Sequence, residues 1–339
     1  MRVLVGLSGG VDSMCAALKL IRDGEYVEGA VLRMHEYTEI DAARSVAEAL
    51  GIPLNVIDCR DDFDRIIKTD FVEEYSQART PNPCIICNER VKFARLADFA
   101  CEHGFDKIAT GHYARVTENN GRLTLSVAAD GGKDQTYMLY RLPQRVLRML
   151  TLPLSDMSKN EVRDMLRDGG YDMSDKPDSQ EICFLPDGGY AEYVESVKGV
   201  FPEGDFVDRE GNPLGRHKGI IRYTVGQRKG LGISLGERAF VTAIDPLNNT
   251  VTLSKEMSGK RDITITSVSY MGIAEPTAPY TLRALVKVRY TANPTAAEAQ
   301  IYPDGHADVR FETPVKAAPG QSAVAYDEDG KVLFGGFIS

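Results

Sequence analysis

The sequence predicts an α/β architecture: a doubly wound parallel-sheet domain, then a small central module and a C-terminal β-barrel-like domain. Three observations predict it. Short apolar β-rich runs alternate with helical patterns in the first half, Gly- and Pro-rich texture takes over around Gly199 to Gly236, and from about Thr264 short β runs are separated by turns. A chain of 339 residues also exceeds what one hydrophobic core usually organises. The expected division is 1–190, 191–263 and 264–339.

The first-half strands are expected at Arg2–Leu7, Val27–Arg33, Leu54–Asp58 and Lys107–Thr110. Asp12 to Arg22, Ile40 to Leu50 and Asn88 to Glu102 carry apolar residues at spacings of three and four, so helices are expected between them. In the last part, Ile263–Tyr270, Tyr280–Tyr290, Ala297–Tyr302, Ala307–Phe311 and Ser322–Tyr326 have β character, broken by turns such as Pro303-Asp304-Gly305 and Asp329-Gly330. Five or six strands fit a barrel-like end domain.

Composition narrows the function. Hydrophobic residues at 43% and charged residues at 26% are those of a folded globular chain. No apolar run approaches the ~18 residues of a membrane span, and Met1-Arg2-Val3-Leu4-Val5 enters a strand directly, so a cytoplasmic protein with no membrane association is expected. Six cysteines are too few for a disulfide scaffold, so clustered ones mean chemistry. The net charge of −9 argues against a surface coated for nucleic acid and leaves room for a local basic face.

In open α/β sheets ligands bind beyond the carboxyl ends of the strands. The loop after the first strand, Ser8-Gly9-Gly10-Val11-Asp12-Ser13, leads into a helix there. Its glycines let backbone amides approach an anion, and the helix N-terminus adds partial positive charge. It lacks the Gly-Lys-Ser/Thr of a γ-phosphate-transferring P-loop. The plainer reading is a glycine turn with Ser and Asp as helix caps. The string resembles the PP-loop of the ATP pyrophosphatases, which adenylate a substrate oxygen and release pyrophosphate. That resemblance implies a PP-loop domain in which Gly6, Leu7, Ser8, Gly9, Gly10, Val11, Asp12 and Ser13 surround ATP and its Mg2+, with Leu32 at the adenine.

A second nucleophile must then displace AMP. Cys84-Ile85-Ile86-Cys87 lies in a loop stiffened by Pro81 and Pro83, with Arg79, Arg90 and Lys92 nearby to favour thiolates. Cys183 lies far along the chain, in Ile182-Cys183-Phe184. Cys15, Cys59 and Cys101 fall on helix or strand patterns and read as small buried hydrophobes. For the CxxC, three readings compete. One is a structural zinc site short of its fourth ligand, one is two inert thiols, and one is sulfur chemistry by a persulfide or a [4Fe-4S] cluster on Cys84, Cys87 and Cys183.

The chain resembles the tRNA-specific 2-thiouridylases of the MnmA type along its whole length. The matching stretches are Ser8 to Ser13, Thr80-Pro81-Asn82-Pro83, Cys87-Asn88, Ala109 to Arg115, Lys133-Asp134-Gln135, Asp178-Ser179-Gln180 with Ile182-Cys183-Phe184, Tyr223 to Gly232, Lys287 to Tyr290 and Gly320 to Val324. The resemblance implies an ATP-dependent sulfurtransferase that adenylates O2 of tRNA wobble uridine 34 and replaces it with sulfur. Cys183 would carry the persulfide and Cys87 would resolve it through a transient disulfide. Gly111 would touch ATP. Asn82, Pro83, Cys84, His112, Lys133, Asp134, Gln135, Arg228, Arg289, Tyr290 and Gln321 would face tRNA with Lys, Glu or Gln anticodons. A cysteine desulfurase or relay protein would donate the sulfur. Many relatives carry an Asp where this chain has Cys84, and that replacement gives the three-cysteine set of iron–sulfur-dependent tRNA thiolases.

For an acidic protein, tRNA contact needs local cations. Arg216, Lys218, Arg222, Arg228 and Lys229 fall in a stretch without Asp or Glu, and Arg141, Arg145 and Arg148 would share one face of a helix. Lys287 and Arg289 point the same way from a strand, with Tyr290 opposite. An unstacked anticodon base flipped into a pocket needs only such modest patches. His112 reads either as a satisfied hydrogen-bonding residue or, at a strand's carboxyl end, as part of the site. Two other functions compete: an amide-forming synthetase that uses ammonia, and a non-catalytic RNA-binding or sulfur-carrying protein with a vestigial loop.

Overall fold

A computed structural model describes residues 1–171, 182–185, 189–234 and 236–339. Asp178-Ser179-Gln180, part of the resemblance, lies outside the described residues.

Five parallel strands run in the order β3-β2-β1-β4-β7: Leu54–Asp58, Tyr26–Arg33, Arg2–Gly6, Lys107–Ala109 and Leu150–Thr151. β1 pairs with β2 on one side and β4 on the other. The chain therefore reverses its direction of winding between β1 and β4, and the carboxyl ends of these two strands open the crevice where such sheets bind ligands. Side chains alternate across β1. Val3, Val5 and Leu7 join a core with helices α1 (Val11–Arg22), α2 (Ile40–Leu50) and Lys159–Asp168, while Leu4 joins the opposite core with helix Phe93–Glu102.

The expected helix from Asn88 starts earlier and is not regular. Pro83, at the first helical position where its missing N–H costs nothing, opens a short helix Pro83–Cys87, a π-helical turn Asn88–Lys92 follows, and α-helix resumes at Phe93. The helical arginine face is also corrected. Pro143 stands between helix Thr136–Leu139 and helix Gln144–Met149, so Arg141 lies outside both. Arg141 is buried and bonds Glu89 at 2.7 Å and the Ser267 carbonyl at 2.7 Å, and Arg145 pairs with Asp98.

The hairpin of β5 (Arg115–Asn119) and β6 (Arg122–Ser126) reaches from the parallel sheet to the last part of the chain, where Thr124 bonds the Val332 carbonyl and Asn119 bonds that of Gly272. The central strands β8 (Gly204–Val207), β9 (Pro213–His217), β10 (Phe240–Asp245) and β11 (Thr250–Ser254) form a sheet ordered β10-β11-β8-β9. The last six strands close into a barrel: β12 (Lys260–Tyr270), β13 (Tyr280–Lys287), β14 (Thr295–Ile301), β15 (Ala307–Val315), β16 (Ser322–Tyr326) and β17 (Val332–Ile338), in the order β12-β15-β14-β13-β16-β17. β13 ends at Lys287, so Arg289 and Tyr290 stand beyond the strand and not on it. Among the described residues, no helix is long and apolar enough to cross a membrane.

Candidate active site

The loop after β1 is knitted by its two serines. Ser13 Oγ donates to the Gly10 carbonyl at 3.0 Å and accepts from the Ser8 amide at 3.2 Å, and Ser8 Oγ accepts from the Gly10 amide at 3.4 Å. The first intrahelical bond of α1 runs from the Met14 amide to the Gly10 carbonyl, so the N–H groups of Val11, Asp12 and Ser13 precede the helical ladder. Gly9 has φ +76°, and a Cβ there would sit 2.5 Å from Ala42 Cβ. Gly111, just after β4, packs even closer: its Cβ would lie 2.5 Å from the Asp12 carbonyl carbon and 2.7 Å from the Ser13 nitrogen. Gly6 to Ser13 and Gly111 thus form one cradle, and Leu32 lies buried at the end of β2.

Sequence reasoning missed the cradle's cation. Lys159, with its side chain only 10% exposed, places Nζ 2.8 Å from both oxygens of Asp12. The Tyr113 hydroxyl donates to the same carboxylate at 2.8 Å. A lysine at the first position of a helix opposes the helix dipole, so it needs a counter-charge, and Asp12 supplies one. Ser158 and Glu161 form a capping box around it that is legible in the sequence, but the partner is 147 residues away.

From Asp12 a continuous run of contacts leads to the cysteines. The Tyr113 amide bonds Gln135 Oε1 at 2.9 Å, and the Gln135 amide bonds the Tyr113 carbonyl at 2.8 Å. Helix Thr136–Leu139 follows at once, and Asn88 Nδ2 donates to its Met138 carbonyl at 3.0 Å while Asn82 Nδ2 lies 3.5 Å from Met138 Sδ. The loop carrying Asn82 and Pro83 is held in turn from the barrel. Gln321 Nε2 bonds the Thr80 carbonyl at 2.7 Å and the Thr80 amide bonds the Pro319 carbonyl at 2.9 Å.

Cys87 is buried and its Sγ lies 3.7 Å from Met34 Sδ, whereas Cys84 and Cys183 are exposed. The Cys183 turn is anchored by its neighbour Phe184, which is 3% exposed and meets Phe63 and Phe71 edge-on at 5.4 and 5.2 Å. Phe184, Ile86 and Cys87 share one apolar core. The expectation of thiolates fails here. Burial pushes the Cys87 thiol up to about 12, which Lys92 only partly offsets and to which Cys84 and Cys183 add. Crowding by surrounding protein also raises Cys84 and Cys183, the latter with a contribution from Cys84. The three sulfurs are therefore electrostatic neighbours. Among the described residues, however, no group of three His, Cys, Asp or Glu side chains is arranged to hold a metal ion. As they stand, Cys84, Cys87 and Cys183 are therefore not gathered into a ready-made cluster site. Of the other cysteines, Cys15 and Cys59 are buried as expected, but Cys101 is exposed.

The residues expected to face tRNA divide. Asp134 turns inward, 8% exposed, accepting from the Thr136 hydroxyl at 2.7 Å. Gln135 has its carbonyl oxygen committed to Tyr113, and Lys133 is half-buried beside them. His112 bonds Thr110 Oγ1 at 2.9 Å and tilts against Phe93; burial, with Lys92 nearby, lowers it to about 3, so it is neutral at physiological pH. Arg289 Nη2 would lie 3.3 Å from a Cβ on Gly226, which brings the loop that leads to Arg228 close to Arg289. Tyr290 is 39% exposed, and its ring lies 6.2 Å from that of Tyr137, with the Lys287 ammonium 5.8 and 5.9 Å from the two ring centres. In the basic stretch, Arg216 pairs with Asp205 and Arg222 with Glu192 and Glu195.

Three family models cover the chain: a tRNA methyl transferase HUP domain over residues 1–187, a tRNA methyl transferase PRC-barrel domain over 192–255 and an aminomethyltransferase beta-barrel domain over 260–338. Curated relatives called tRNA-specific 2-thiouridylase MnmA match end to end. The Clostridium perfringens protein is 41% identical over 99% of this chain and 98% of its own, and that of Acetivibrio thermocellus 42% identical over 99% and 98%. Among solved structures, the U34-tRNA thiolase NcsA from Methanococcus maripaludis with its [4Fe-4S] cluster matches 58% of this chain and 64% of its own at 18% identity, with a TM-score of 0.36. On the identity and coverage of the curated relatives, the chain belongs to the tRNA-specific 2-thiouridylase MnmA family.

Proposed function

We propose that the protein is an ATP-dependent tRNA sulfurtransferase that converts wobble uridine 34 to 2-thiouridine, with Cys183 and Cys87 as its sulfur-handling pair. Its tRNAs carry Lys, Glu or Gln anticodons, and a cysteine desulfurase or relay protein in the cytoplasm loads Cys183. The observation that carries the reading is the unbroken run of contacts from Asp12 through Tyr113, Gln135 and Met138 to Asn88, which joins a phosphate cradle to the cysteines. Ammonia-dependent amide formation has no use for three neighbouring thiols.

Uridine O2 attacks the α-phosphorus of ATP and pyrophosphate leaves. The amides that open α1 and the Lys159 ammonium face the growing negative charge. Asp12 is the cradle's carboxylate that would help hold a Mg2+ ion, which would supply charge neutralisation for the triphosphate. The terminal sulfur of a Cys183 persulfide then attacks C2, and AMP departs with the original oxygen. The Cys87 thiolate attacks Cys183 Sγ, which leaves the thiocarbonyl on the base and a Cys87–Cys183 disulfide on the protein. Neutral His112 serves as a hydrogen-bonding group. The steps as written call on no cluster.

The test mixes enzyme, tRNA, Mg-ATP and a persulfide donor and measures pyrophosphate and 2-thiouridine. Cys183→Ala and Cys87→Ala should each abolish thiolation with ATP affinity retained. Sustained 2-thiouridine formation by either variant would refute the assignment.

A further inference from the structure

The reaction leaves its enzyme oxidised. The two electrons that convert a sulfane sulfur into a thiocarbonyl come from Cys87 and Cys183, so Cys183 accepts no further sulfur until their disulfide opens. Cys87 is a poor target for an external reductant, being only 7% exposed, and attack at the exposed Cys183 sulfur would leave a mixed disulfide on the very thiol that must be loaded next.

Cys84 has no part in those steps, yet its placement suits this one. It lies three residues before Cys87 on helix Pro83–Cys87, which sets the two on one face with Cβ atoms about 5–6 Å apart. A disulfide needs about 3.5–4.5 Å, so a small adjustment closes the bond. The pair is asymmetric, with Cys84 exposed and Cys87 buried, and Cys84 is an electrostatic neighbour of both Cys87 and Cys183. Pro83 and the Gln321–Thr80 bond hold the loop that presents it.

We propose that Cys84 is a third, resolving thiol that regenerates the enzyme by attacking Cys87 Sγ in the Cys87–Cys183 disulfide. The Cys84–Cys87 bond forms and the Cys87–Cys183 bond breaks; the proton given up by the Cys84 thiol is regained by the departing Cys183 thiolate. No net oxidation occurs. An external dithiol then reduces the accessible Cys84–Cys87 disulfide and is itself oxidised to a disulfide. The inference rests on the roles given above to Cys87 and Cys183.

The test uses full-length enzyme persulfidated at Cys183, with Mg-ATP, one equivalent of tRNA and no reductant, quenched in acid, alkylated and analysed by peptide mass spectrometry without reduction. The parent should end with Cys84 joined to Cys87 and Cys183 alkylated. Cys84→Ser should stop at the Cys87–Cys183 disulfide, and with dithiothreitol supplied its later turnovers should be at least tenfold slower than its first. A parent that retains Cys87–Cys183 overturns the proposal. So does a Cys84→Ser variant that loses its first turnover together with protein-bound iron, because Cys84 would then be a cluster ligand. A parent that makes 2-thiouridine with no disulfide in either protein overturns the underlying roles of Cys87 and Cys183, and this inference with them.

Discussion

Replacing Lys159 by Met removes the cation from the Asp12 carboxylate and keeps most of the side chain's volume. In the parent, Nζ lies 2.8 Å from each Asp12 oxygen, and the two side chains are 10% and 30% exposed. Breaking a fully buried pair by removing one partner costs about 3–5 kcal/mol, and Asp12's partial access to water reduces that to about 2 kcal/mol here. Nucleotide binding suffers separately. The carboxylate, now without its cation though still bonded by the Tyr113 hydroxyl, stands at the opening of α1, where the triphosphate is to sit, and two like unit charges about 6 Å apart at an effective dielectric of about 20 repel by about 3 kcal/mol. ATP affinity should therefore fall about a hundredfold, given that ~1.4 kcal/mol is a factor of ten. Isothermal titration with Mg-ATP reads the affinity and thermal unfolding reads the stability. Lys159→Arg should retain most of both, and adding Asp12→Asn to Lys159→Met should restore stability, because the two losses are coupled. Should Lys159→Met bind ATP within threefold of the parent while melting earlier, the lysine merely props the loop and the charge reasoning is wrong.

Two further outcomes follow from the same geometry. Gly111→Ala would drive a Cβ to 2.5 Å from the backbone of Asp12, so α1 must shift at a cost of about 1–3 kcal/mol, with ATP affinity lowered tenfold or more; titration and melting curves both matching the parent would contradict this. Burial holds the Cys87 thiol protonated up to about 12, so its thiolate fraction grows about tenfold per pH unit throughout the neutral range. The rate of Cys87–Cys183 disulfide formation in a single turnover should climb accordingly from pH 7 to 9, and a plateau below pH 8 would show an activated thiolate instead.

Local pattern carried the parallel sheet well, because its strands and helices bury residues at regular intervals. Ile40–Leu50, Leu54–Asp58 and Ser322–Tyr326 stand where periodicity puts them. What escaped is non-local. The closing barrel strand, Val332–Ile338, is not among the expected strands and carries Gly335-Gly336 at its centre; a Cβ on Gly335 would lie 2.6 Å from the Tyr140 ring, a packing demand invisible along the chain. Arg141 has helical spacing to Arg145 and Arg148, but Pro143 cuts that helix and Glu89 draws the guanidinium inside. The cysteines were legible as a set. Their protonation was not, since the nearby cations are outweighed by apolar residues such as Phe63 and Phe184, which reach Cys87's surroundings from separate segments.

The turn at Pro319 to Gln321 grips the backbone of Thr80, and a side chain on Gly320 would strike the Thr80 nitrogen at 2.7 Å. The barrel is consequently a strut for the reactive loop. Under the function proposed above, an anticodon arm seated on it would be held in register with the sulfur donor by one short stretch of main chain. A barrel transplanted from a relative would have to bring its own matching turn, or the base would arrive out of line with the thiol meant to receive it.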